Sequence, residues 1–154
     1  MILIISLQYS LKEESTIFEY ILLCFPFAVH CGWITAATVL NANVLMVKEN
    51  VSSENQIAFA IVSIALLFNF SILILWSIPL PEYVIAAVIA WAKAGIAYEL
   101  DNPKEQIEDE FDEMILSSLS TAATWICISV IVLLAVRFLS TPLFNRRNES
   151  QRTF

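Results

Sequence analysis

The sequence has few of the residues on which common catalytic and nucleotide-binding motifs depend. Its 154 residues include two glycines, Gly32 and Gly95, and one histidine, His30. Phosphate-binding loops need several closely spaced glycines, and the zinc-protease motif needs two histidines four residues apart. The G-x-S-x-G motif of serine hydrolases is absent as well. These absences predict that the protein is not an enzyme.

Cysteine is also scarce, and its spacing predicts neither a disulfide framework nor a zinc site. Cys24 and Cys31 lie seven residues apart on one predicted helix, roughly 10 Å along its axis, which is too far for a bridge. Cys127 lies in a different predicted helix. We expect all three cysteines to be small, buried apolar residues.

Charged residues are missing from long parts of the chain, although 15 Asp and Glu and 8 Lys and Arg give a net charge of -7. This balance argues against a nucleic-acid partner. Positions 20–47, 55–81 and 114–136 carry no charge, and positions 83–100 carry only Lys93 and Glu99. Because about 20 apolar helical residues cross a hydrocarbon core of roughly 30 Å, each stretch is long enough to span a membrane.

The fold class is therefore predicted to be all-α, a polytopic membrane bundle of four transmembrane helices. We expect the helices at about residues 20–46, 57–78, 82–100 and 114–139. Lys93 is expected to extend its ammonium group toward a headgroup region. We divide the chain into an N-terminal segment (1–16), a transmembrane domain (17–140) and a basic C-terminal tail (141–154).

An acidic amphipathic extension is predicted before the last span. Eight of the fifteen carboxylates lie between Glu99 and Glu113. Asn102 followed by Pro103 is typical of a helix start, so we expect a helix that continues into the fourth span. Its carboxylates form either a solvated polar face or a site for a divalent cation or a basic partner; the ligand spacing of an EF-hand is absent.

Four spans place both termini on one side of the membrane. That side carries more Lys and Arg than the other, which predicts a cytoplasmic, stromal or matrix location for the termini. An organelle membrane such as the thylakoid is included in this prediction. The N-terminus lacks the basic region and cleavage site of a secretory signal, so either the chain inserts through its own helices or the sequence is a processed form.

Two segments resemble the TspO-like (tryptophan-rich sensory protein) family of integral membrane proteins. The segment PFAVHCGWITAATVLN, residues 26–41, is similar to the second helix of that family, and VIAAVIAWAKAGIA, residues 84–97, is similar to a later helix. The resemblance implies a small helical bundle that accepts porphyrins, sterols or similar apolar molecules. The family usually has five spans, so its first helix is expected to be missing here or reduced to residues 1–7. Such a loss would expose a groove for a partner, a second copy, lipid or pigment.

Four residues are candidates for cofactor binding: His30, Trp33, Asn41 and Trp91. His30 stands where relatives often have tyrosine, and its imidazole either ligates a tetrapyrrole metal or bonds a backbone carbonyl inside the bundle. The two tryptophans either stack on a flat ligand or anchor their spans at the interface. Asn41, like Asn69, either contacts a ligand or forms an interhelical hydrogen bond. No metal site is predicted.

Small residues predict close contacts between helices. The helix-packing candidates are Gly32, Ala36, Ala86, Ala90, Ala94 and Gly95. Thr35, Thr38 and Asn43 are expected to bond across helices from the first span.

Two functional hypotheses remain. The favoured one is a non-enzymatic accessory or structural subunit of a larger membrane complex, such as a photosynthetic or respiratory supercomplex, that contacts chlorophyll, another pigment or lipid. It implies membrane-protein partners or self-association. The alternative is a sensor or carrier of a tetrapyrrole or sterol.

Overall fold

The computed structural model describes residues 17–76, 82–103, 107 and 111–152, and these residues form an all-helical bundle. Four long helices are present: α1 (Phe25–Lys48), α2 (Ser53–Trp76), α3 (Tyr83–Asp101) and α4 (Glu113–Arg152). The segments long and apolar enough to cross a membrane are Tyr20–Lys48, Ser53–Trp76, Tyr83–Asp101 and Glu113–Ser140. The predicted four-span, all-α fold class is therefore confirmed, with boundaries shifted by up to four residues.

The first span begins with a short helical turn, Ile17–Glu19, followed by a π-helix, Tyr20–Cys24. Pro26 follows directly and has no N–H to offer the carbonyl of Leu22 in a regular helix. The wider π-turn accommodates this loss, and the Phe25 N–H donates to the carbonyl of Tyr20. The chain then continues as regular helix to Lys48.

The connection between α1 and α2 is short because a Schellman motif ends α1. Asn50 has a positive φ of 51°, a conformation that asparagine tolerates better than most residues. Its N–H donates to Val47 and the N–H of Val51 donates to Met46, which is the bonding pattern of that motif. The helix α2 begins three residues later, so the two spans form a tight hairpin.

Helix α3 is the central helix and packs against α1, α2 and α4. It buries 39% of its span, whereas the other three bury 22–28%. Paired contacts give the helix directions: Ser120 and Cys127 of α4 bond to Ala97 and Ala90 of α3 in reverse order, so these two helices are antiparallel. Arg137 donates from α4 to the carbonyl of Leu75 near the end of α2, which places a cation where the dipole of α2 favours one.

The end of α3 and the start of α4 differ from the sequence prediction. Asn102 does not start a helix; it ends α3, and both its N–H and its side-chain amide donate to the carbonyl of Tyr98. Pro103 explains this, because the residue before a proline is disfavoured in the helical region. Asp112 caps α4 by accepting the N–H of Met114, so the expected continuous helix is interrupted there. Half of the acidic extension's carboxylates lie outside the described residues.

The interior of the bundle contains two clusters of buried apolar side chains. One joins α1, α2 and α3 around Cys31, Leu67 and Ile89, and the other joins α2, α3 and α4 around Ile64, Ala97 and Ala123. The three cysteines are buried and form no disulfide, as predicted. Many large apolar side chains, by contrast, are exposed on the outside of all four helices, where lipid tails would cover them.

Candidate functional site

Helices α1 and α3 approach each other closely at Gly32. A Cβ atom at this position would lie 2.9 Å from the Cβ of Val88 and 3.1 Å from the carbonyl oxygen of Ile85. Any larger residue would push the two helices apart. This contact brings together the two tryptophans that the sequence analysis selected: the ring centroids of Trp33 and Trp91 are 5.6 Å apart, with 39° between their planes.

The tryptophan pair lies on the outer surface of the bundle. Trp33 is 46% exposed and Trp91 is 63% exposed. His30, one turn before Trp33 on α1, is also exposed, so it is not the buried imidazole that the sequence analysis held as an alternative. The three side chains can therefore contact a molecule in the surrounding lipid without any opening of the bundle.

Asn41 does not join this group. It is exposed on α1, eight residues beyond Trp33, or about 12 Å along the helix axis. Asn69 donates to Ala65 of its own helix. The interhelical hydrogen bond is made instead by Asn43, whose amide donates to Ser63 on α2 at 2.9 Å. This bond confirms the expectation for Asn43, whereas the hydroxyl group of Thr38 donates to Ile34 of its own helix.

The small residues proposed for helix packing divide into two groups. Gly32 and three alanines are buried, while Ala94 and Gly95 are exposed. No atom lies within 4 Å of a Cβ added at Gly95. The buried alanines are Ala36, Ala86 and Ala90. Helix α3 therefore packs inside the bundle through buried alanines, while Ala94 and Gly95 lie outside these contacts.

Lys93 lies inside the bundle, not at the headgroups. It is 1% exposed, and its Nζ lies 5.2 Å from the ring centroid of Phe68 on α2. No hydrogen-bond partner for Nζ occurs in the described part of the chain. The predicted extension to the membrane surface is wrong because the residue faces α2 from the middle of the central helix, where the lysine stem cannot leave the bundle.

A groove of about 500 Å³ runs along the outer side of the contact between α3 and α4. On α3 its wall includes Ala94, Tyr98 and Asp101, and on α4 it includes Thr121 and Trp125. Sequence reasoning missed this groove, because only the relative rotation of the two helices shows that these residues share a wall. Among the described residues, no group of three or more His, Cys, Asp or Glu side chains could hold a metal ion.

These features define a multi-pass helical membrane protein with a pair of tryptophans exposed on the outside of the bundle. The family model described as "TSPO-like protein" matches residues 1–140, so the chain belongs to the TSPO-like family. Membership indicates a membrane protein of the sensor or transporter type. Searches of curated proteins and of solved structures returned no match.

Proposed function

We propose that the protein is a non-enzymatic sensor or carrier that holds a flat apolar molecule, a tetrapyrrole or a sterol, against the tryptophan pair. The observation that carries this proposal is the contact between Trp33 and Trp91 on the lipid-facing surface. Indole rings offer large, rigid faces for stacking. A ligand dissolved in the membrane would reach them by lateral diffusion.

His30 gives this surface a polar contact at one end. It stands on the exposed side of α1, one helical turn from Trp33. A neutral imidazole can ligate a tetrapyrrole metal, and either ring nitrogen can hydrogen-bond a carboxylate or hydroxyl group. A ring stacked on the tryptophans with its polar atom at His30 fits this arrangement.

The test is a fluorescence titration of the full chain in lipid nanodiscs with protoporphyrin IX and with cholesterol. Because aromatic contacts contribute about 0.5–1.5 kcal/mol, Trp33→Ala and Trp91→Ala should each weaken binding by about three- to tenfold. Trp125→Ala is the matched control. Trp125 is 65% exposed, but it lies on α4 and lines the groove between α3 and α4. Equal affinity in all three variants, or no saturable quenching by either probe, would contradict the proposal.

His30 is tested separately by spectroscopy. With haem or chlorophyll as the probe, axial ligation by His30 should shift the absorption spectrum of the bound pigment, and His30→Ala should abolish the shift. An unchanged spectrum with retained binding would assign His30 a polar contact to the pigment periphery.

A second candidate function is favoured by a different observation. Ala94 and Gly95 leave two small residues exposed on the central helix, and small residues allow a helix of another protein to approach closely. The protein would then be an accessory subunit of a larger membrane complex. Co-migration with partner proteins on a native gel, lost in Gly95→Leu and kept in Leu73→Ala, would support this function; migration as a monomer in both would contradict it.

A further inference from the structure

The groove between α3 and α4 changes in polarity along its length. Hydrogen bonds fix the register: Cys127 donates to Ala90, and seven residues further along α3 Ser120 donates to Ala97. Ala94, Thr124, Trp125 and Ile128 therefore line the deep end, Asp101 lines the end at which α3 reaches the membrane surface, and Thr121 lies between them. The deep end is mostly apolar and the other end carries a carboxylate.

The equivalent position on the other hairpin is closed. Asn43 stands ten residues after Trp33, and Asp101 stands ten residues after Trp91. Asn43 donates across to Ser63 and ties α1 to α2. A carboxylate has no proton to donate in the same way, and the groove remains open beside Asp101. No hydrogen bond to Asp101 occurs within the described residues, so its carboxylate can accept from a donor outside the bundle.

We infer that this groove binds an amphiphile with a cationic headgroup, in which an amine contacts Asp101 and a hydrocarbon body lies along Ala94 and Trp125. Ala94 and Asp101 are seven residues apart, or roughly 10 Å along the helix, which suits a body of about eight to ten carbons. The hydroxyl group of Thr121 lines the middle of the groove.

The charges around the groove select a cation over an anion. Glu99, Asp101, Asp112 and Glu113 all lie at this end of α3 and α4, so the phosphate of a common phospholipid would be repelled. The one buried cation of α3, Lys93, lies over Phe68 on α2 and does not line the groove. The groove therefore carries charge complementary to an amine.

The test uses three matched probes: 10-bromodecylamine, 10-bromodecanoic acid and 10-bromodecanol. The protein is the full chain in phosphatidylcholine nanodiscs with Trp33, Trp76 and Trp91 replaced by phenylalanine, so that Trp125 alone reports. A bromine atom quenches tryptophan on contact, and a probe held by its amine at Asp101 places its bromine at Trp125. Because the tryptophan pair is absent, the result is independent of the proposed function.

We expect the amine to quench saturably, with affinity about tenfold higher than that of the acid or the alcohol, a difference of about 1.4 kcal/mol. Asp101→Asn should lower the affinity for the amine to that for the alcohol. Glu99→Gln, an exposed neighbour that does not line the groove, should leave the preference intact. Ala94→Phe, which fills the deep end, should abolish saturable quenching by all three probes.

Two outcomes would overturn the inference. Equal quenching by the three probes would show that the groove only dissolves hydrocarbon. A preference for the amine that survives in Asp101→Asn but disappears in Glu99→Gln would assign the attraction to the general acidic surface. Circular dichroism of each variant at matched concentration confirms that the helices are retained.

Discussion

Gly32 and Gly95 are the two glycines of the chain, and their surroundings are opposite. A methyl group at Gly32 would meet Val88 and the backbone of Ile85, while one at Gly95 would meet nothing within 4 Å. Both lie inside helices, where alanine is intrinsically favoured over glycine by about 0.8–1 kcal/mol. The same substitution therefore separates the effect of helix propensity from the effect of helix–helix distance.

We predict that Gly95→Ala raises the free energy of unfolding by up to about 1 kcal/mol. Gly32→Ala should lower it, because overpacking costs about 1–3 kcal/mol and exceeds the gain in propensity. Unfolding of the purified protein in mixed micelles measures both values. Gly32→Ala should also separate the indoles of Trp33 and Trp91, seen as a change in near-UV circular dichroism. Equal stabilisation by both substitutions would contradict the close approach of α1 and α3.

Lys93 places an ammonium group in the interior, near the ring of Phe68 and without a hydrogen-bond partner among the described residues. Desolvation of an ion costs several kcal/mol even after relaxation, whereas a desolvated cation–π contact returns about 2 kcal/mol. The cost is therefore the larger of the two. Methionine has a similar shape and no charge, so it keeps the packing and removes the cost.

We predict that Lys93→Met raises the free energy of unfolding by about 1–3 kcal/mol. Lys48→Met, at an exposed position, should change it by less than about 0.5 kcal/mol. Chemical unfolding of the two variants in the same detergent measures the difference. Destabilisation by Lys93→Met would instead show that the ammonium group has an anionic partner in the membrane.

At the scale of the elements, the bond from Asn43 to Ser63 is a polar tie between α1 and α2. Polar contacts between membrane helices contribute about 0.6 kcal/mol on average and at most about 1.7 kcal/mol. A double-mutant cycle of Asn43→Ala and Ser63→Ala should therefore give a coupling energy of this size. The pair Asn69→Ala and Ser63→Ala is the control, since Asn69 bonds within α2, and its coupling should be near zero. Zero coupling in both cycles would show that the bond from Asn43 to Ser63 does not stabilise the hairpin of α1 and α2.

The helix ends were less predictable than the helices. The charge-free runs predicted the positions of the spans, because a charged side chain is unfavourable in hydrocarbon whatever residues are next to it. The ends depended on local bonds: Asn50 ends α1 and Asp112 starts α4. Pro103 was taken as the first residue of a helix, but its stronger effect is on the preceding residue, which ends α3.

At the scale of the whole molecule, the sequence predicted the four-helix membrane bundle and the family, but not which side chains face inward. Apolar residues surround each span, so no hydrophobic stripe marks the buried face. Lys93 was expected to reach the headgroups but is buried in the bundle. His30 had a buried position as one of its two interpretations but is exposed on the surface of the bundle. The small residue Gly32 was a better indicator of the buried face, because helices can approach as closely as α1 and α3 do only where a small residue lies between them.

The orientation of the bundle in the membrane is a further prediction at this scale. An even number of spans places the α1–α2 connection and the end of α3 on one side and the termini on the other. The basic residues at positions 12, 137, 146, 147 and 152 lie on the side of the termini, which the positive-inside rule assigns to the cytoplasm, stroma or matrix. The three native cysteines are buried, so added cysteines can report the topology.

We predict that Glu49→Cys and Glu99→Cys react with a membrane-impermeant maleimide added outside intact cells or to the lumenal side of an organelle membrane. Both positions are exposed at the ends of their helices, and the unmodified protein provides the background. A C-terminal epitope should be protected from protease under the same conditions until the membrane is permeabilised. Labelling of one cysteine without the other would contradict the four-span topology. If both cysteines react only after permeabilisation and the epitope is accessible from outside, the four-span topology is correct but the orientation is reversed. Charges elsewhere in the chain would then have outweighed those beside the last span.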